Sequence, residues 1–73
     1  MYIIQEIQTN KDGTTALCPA ILKDSENEAL SEVYNILKFA SVSNVKIHTV
    51  VAYDEHGNPL KDTPRFFEHL EEE

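Results

Sequence analysis

The sequence predicts a small α+β domain of ββαββ order, an antiparallel sheet with one helix packed on one face. Three observations predict it. Ser25-Glu26-Asn27-Glu28 is a capping box, and apolar residues follow it at helical spacing. β-forming residues fill the segments before and after that stretch. Turn signals, NKDG at 10–13 and DEHGN at 54–58, cut those segments into hairpin-sized pieces.

Residues 2–8 are rich in β-formers, and TTALCPAIL at 14–22 resumes an extended pattern after the first turn. Pro19 cannot donate to a ladder, so the second strand is expected at an edge or broken at that point. The helix is expected from the Ser25 cap to about residue 40. Ala29, Leu30, Val33, Ile36, Leu37 and Ala40 form its apolar stripe, with Tyr34 at the edge and Phe39 turned toward solvent. Glu26, Glu28 and Glu32 early in the helix and Lys38 late suit its dipole.

SVSN at 41–44 ends the helix and leads into VKIHTVVAY. Alternation is read as placing Val45, Ile47, Thr49, Val51 and Tyr53 toward the helix. Lys46, His48, Val50 and Ala52 then point the other way. Gly57 is free to take positive φ in the next turn. PLKDTPRFFEHL reads two ways: Thr63-Pro64 would cap a short helix, but Thr63 before proline prefers an extended shape, and a last strand around Arg65–His69 is the favoured expectation. Tyr2 and Ile4 oppose Ile3 and Ile7 in the first strand, so both parities are apolar. One helix covers one face only. A second copy is the natural cover for the other, and a homo-oligomer, at least a dimer, is expected.

Seventy-three residues make one domain, 1–73, with residues 70–73 read as a frayed acidic tail. A chain this short buries only about 60% of its unfolded surface. Cys18 is alone, which excludes an internal disulfide and a thiolate-rich zinc site and leaves self-association as the stabilising device. The opening MYIIQEIQ is neither a signal peptide nor a membrane span, and an unpaired cysteine suits a reducing interior, so a cytoplasmic location is expected. Six basic and thirteen acidic residues give a net charge of −7, which repels nucleic-acid backbone. An acidic DNA mimic is conceivable at this charge. The carboxylates, however, fall mainly in the helix start and the tail, as on a solvated helix face and a frayed terminus.

The chemistry-bearing residues are few. Lys46 and His48, two apart on one strand face, would offer adjacent donors to an anion; the ordinary reading of His48 is a surface or interface histidine satisfied by a neighbour. Ser41 and Ser43 at the helix-to-strand junction would add hydroxyls, although such residues more often cap and turn. Arg65, the only arginine, stands beside Phe66 and Phe67 as an anchor for a phosphate or a partner carboxylate, and equally as a surface residue. His48, His56 and His69 lack metal-ligand spacing, and no cofactor motif is present, so neither a metal nor a cofactor is expected. A Ser–His–Asp set can be drawn from Ser43, His48 and Asp54, but any small chain offers one; no enzyme activity is expected.

A family resemblance can now be stated. Glu6-Ile7-Gln8 before a glycine-containing turn, then Asn27-Glu28-Ala29, Tyr34, Leu37, Ala40, Ser43, Val45, His48 and Gly57, resemble the pattern NEA…Y…L…A…S.V..H. That pattern belongs to a group of very small phage and prophage proteins of Firmicutes to which no activity is attached. The likeness covers most of residues 2–60. PLKDTPRFFEH departs from it in length, while Phe67-x-His69 echoes the group's aromatic-x-His ending. The resemblance implies phage accessory biology in the bacterial host cytoplasm. One expectation is a binding module that sequesters a small anionic, nucleotide-like signal of host anti-phage defence in pockets between subunits, using Lys46, His48, Ser43, Ser41, Tyr34 and Arg65. The alternative is a protein-binding inhibitor of a host factor, or a minor structural component, contacting its partner through Phe39 and the acidic tail.

Overall fold

The computed structural model describes residues 1–69; the expected frayed tail at 70–73 lies outside them. Its elements are β1 (Tyr2–Thr9), β2 (Thr15–Leu17), β3 (Ile21–Lys23), α1 (Glu26–Ala40), β4 (Ile47–Asp54) and β5 (Arg65–Glu68). The sheet is antiparallel in the order β2-β1-β4-β5, with β3 also on β1. β4 pairs with β1 along its whole length, so β2 and β3 lie end to end on the other edge of β1. The break between them holds Pro19, which has no N–H to give. Pairing lapses there as expected.

Ser25 has extended backbone angles, φ −123° and ψ 153°, and its Oγ accepts the N–H of Glu28 at 3.1 Å. The helix then buries Ala29, Val33 and Ala40 and half-buries Leu30, Ile36 and Leu37. At its far end the carbonyl of Ala40 accepts from Nε2 of His69 at 2.8 Å, which ties α1 to the chain just after β5. The Asp54–Asn58 turn carries Gly57 at φ 87°. Asp54 Oδ1 accepts the N–H groups of Asn58 and His56, and the Asn58 bond above all holds its carboxyl below the usual carboxylate range.

One expectation is reversed. The helix lies on the face of His48, Val50 and Ala52, while Ile47, Thr49, Val51 and Tyr53 are only half-buried on the other face. The core unites Ile4, Val50, Ala52 and Leu60 of the sheet side with Ala29 and Val33 of the helix. Small side chains explain the choice. Ala52 and Val50 let a helix faced with alanine and valine approach closely, where Tyr53 and Ile47 would hold it away. Period-two alternation has no preferred sign when both parities are apolar, and a shift of one residue inverts every side chain.

Candidate ligand-binding site

β1 and β4 are paired so that Glu6 stands opposite Val50 and Gln8 opposite His48, all on the helix side of the sheet. Between this corner and the C-terminal half of α1 lies a cavity of about 280 Å³. Glu6 and Gln8 line it from β1 and His48 from β4, with Ile36, Phe39 and Ala40 from the helix and Ser43 from the junction. Its size is near the lower end of the roughly 300–1,000 Å³ of small-molecule sites.

The polar wall is organised around one carboxylate. Glu6 Oε2 accepts Nδ1–H of His48, and Gln8 Nε2 donates to the same oxygen at 3.4 Å. Glu6 Oε1 accepts from Cys18 Sγ at 3.7 Å. With Nδ1 committed to Glu6, Nε2 is the one ring nitrogen left to pair. His48 is 3% exposed, and its Nε2 is buried without a hydrogen-bond partner among the described residues. Buried polar atoms are paired in nine cases out of ten or more, so such an orphan calls for an explanation. Among the described residues no lysine or arginine lines the cavity, and Glu6 makes its wall acidic rather than basic.

The structure brings two expected site residues, His48 and Ser43, into this cavity. Both parts of the Lys46/His48 expectation change. His48 is under the helix, not on the bare face, and Lys46 is drawn to the end of β5, where its ammonium donates to the His69 carbonyl at 2.8 Å and lies 3.9 Å from the Glu68 carboxylate. Ser41 is exposed and its hydroxyl donates to the Lys38 carbonyl, which is a capping role. Ser43 Oγ accepts the N–H of Val45 at 3.1 Å while lining the cavity. Tyr34 and Arg65 meet elsewhere. The tyrosine hydroxyl donates to Asp62 at 3.2 Å, the guanidinium lies 5.9 Å from its ring centre, and the Asp62 carboxylate is 3.7 Å from Arg65. That carboxylate already balances the charge an anion would seek.

Glu6, Gln8, Ile36 and Phe39 are site residues that the sequence reading missed. The available signal was a carboxylate in the middle of an apolar strand, which reads first as a mere interruption. The cavity itself is formed by residues of one chain.

Cys18 is half-buried, and its thiol is pushed above the ordinary value, first by burial and then by the charge of Glu6. The raised thiol holds less thiolate at neutral pH than a free cysteine does. Alkylation at neutral pH should be slower than for a free thiol, and Glu6→Gln should accelerate it by removing the neighbouring negative charge. An unchanged rate in Glu6→Gln would dissociate Cys18 from the carboxylate.

Comparison with protein-family models, curated proteins and solved structures gives no match.

Proposed function

We propose that the protein is a non-enzymatic binding module that holds a small ligand in the cavity beneath the C-terminal half of α1. The observation that carries this reading is His48, which lines the cavity and whose buried Nε2 has no hydrogen-bond partner among the described residues. With Nδ1–H committed to Glu6, Nε2 is the ring nitrogen left for a polar group of a ligand. Ile36 and Phe39 supply an apolar wall for a flat ring. A nucleotide-like ligand would therefore enter by its base and leave its phosphate outside, because the carboxylate wall is unsuited to an anion. Binding is favoured over catalysis because, among the described residues, no hydroxyl or thiol is hydrogen-bonded to Nε2, as an activated nucleophile would be. The resemblance to phage proteins supports sequestration of a host-defence signal as the biological setting.

Native mass spectrometry of protein purified gently from its host, then challenged with a nucleoside and nucleotide mixture, tests this. The expected result is one small molecule per chain. Its affinity should fall roughly ten-fold or more in His48→Leu, as for a lost buried hydrogen bond, and stay unchanged in Lys46→Ala. Retention of the ligand by His48→Leu, or no retained mass from the mixture, would refute the reading.

The second reading, a protein-binding inhibitor of a host factor or a minor structural component, is favoured by the neighbouring exposure of Phe39 and of Val42, which is 81% exposed. Val42 does not line the cavity. Loss of function in Val42→Asp with ligand binding intact would select that reading.

A further inference from the structure

We infer that the uncovered face of the sheet is where a second copy of this chain docks, face to face. The pairing register defines this face. Ile3 is opposite both Leu22 and Tyr53, Ile7 is opposite Leu17, Gln5 is opposite Val51 and Thr49 is opposite Phe66. Directly paired residues share a face. The result is a mainly apolar surface running from Leu17 and Leu22 on one edge, across Ile3, Ile7 and Val51, to Phe66 on the other, with the uncharged Gln5 and Thr49 among them. Phe66 is 67% exposed, and Leu17 and Leu22 are exposed as well.

Its size fits a dimer. Two central strands of eight residues, with β2 and β3 of three residues each on one side and β5 of four on the other, cover roughly 400 Å² before side-chain relief is counted. Standard interfaces remove about 800 Å² of accessible surface from each partner, relief included.

The charge distribution selects the partner. The chain carries a net charge of −7, yet among the described residues the strand positions of this face carry no charged side chain except Glu68. Glu68 is in register with Ile47 at one corner, where the Lys46 ammonium lies 3.9 Å from its carboxylate. A basic partner would be drawn to the acidic start of α1. A like-charged copy can approach only through a neutral patch, and a flat apolar face is complementary to itself under a two-fold axis. The cavity opens on the helix side, so this inference stands independently of the ligand reading.

Sedimentation velocity on the full chain tests it. At about 10 μM the wild type should sediment as a dimer, and Val51→Lys and Phe66→Lys should each sediment as monomers, their dissociation constants raised roughly 100-fold or more. Val42→Lys, away from the sheet, should remain dimeric. Circular dichroism checks that each variant keeps its helix, and Phe66→Lys alters only an exposed edge position if Val51→Lys fails to fold. A wild type that stays monomeric into the hundred-micromolar range, or an oligomer that persists in both lysine variants, would overturn the inference and leave the face to another protein or to none.

Discussion

Replacing both members of the buried pair, Glu6→Leu together with His48→Leu, is expected to leave the protein at least as stable as the wild type. Either replacement alone should cost about 1–3 kcal/mol, because it strands a buried polar partner. With His48 gone, the Glu6 carboxylate keeps only the weaker contacts to Gln8 and Cys18. With Glu6 gone, both ring nitrogens of a 3% exposed histidine lack partners among the described residues. In a domain whose whole stability is roughly 4–11 kcal/mol, each loss is large. The double replacement removes both desolvated groups and puts two aliphatic side chains against Ile36 and Ala40, a change that is often neutral or favourable. Urea unfolding of the four proteins gives the cycle directly. If the double variant loses the sum of the single losses, Glu6 and His48 do not couple and their pairing is refuted. If stability is restored while ligand binding is abolished, the pair exists for the ligand, since an apolar corner would fold as well.

The helix was the most legible element. Its cap, its stripe and its charge order agree, and local agreement of that kind is hard to overturn. The two turns and the break at Pro19 were legible for a related reason, as each depends on a backbone property of one residue. The choice of face was not. Ile3 and Ile4, Ile7 and Tyr2, Val50 and Val51 offer equal hydrophobicity to both sides, and only packing against Ala29 and Val33 breaks the tie. The site was half legible. Ser43 and His48 share the cavity, but that sharing depends on the β1–β4 register, which also brings in Glu6 and Gln8. Lys46 looked like a partner of His48 because spacing in a strand implies a shared face. It lies just before β4 begins, where the chain is free to turn its ammonium toward β5. The meeting of Tyr34 with Arg65 depends on Asp62, held at φ 64°, and no local spacing connects these three.

Ile4→Ala is expected to be the most damaging single change to the fold, at about 2–5 kcal/mol, and Ile3→Ala should cost under about 1 kcal/mol. The two residues are chemically identical neighbours. Ile4 is fully buried, opposite Ile21 and Ala52, and packs beneath Ala29 and Val33. Ile3 lies half-exposed on the bare face. Deleting three carbons at Ile4 removes their transfer energy and leaves a void that α1 cannot fill without leaving Val50. At Ile3, water takes the space. The comparison belongs at low protein concentration, where a dimer on the bare face has dissociated and Ile3 is solvated. Set against a total of roughly 4–11 kcal/mol, the Ile4 loss would bring the variant close to unfolding at body temperature. The order of the two effects decides more than stability. His48 shares a face with Ile4 through the β1–β4 pairing, and Val51 shares one with Ile3. Were Ile3→Ala the costlier change, the helix would sit on the odd-numbered face, His48 would be open to solvent, and both the cavity and the apolar docking face would be lost together.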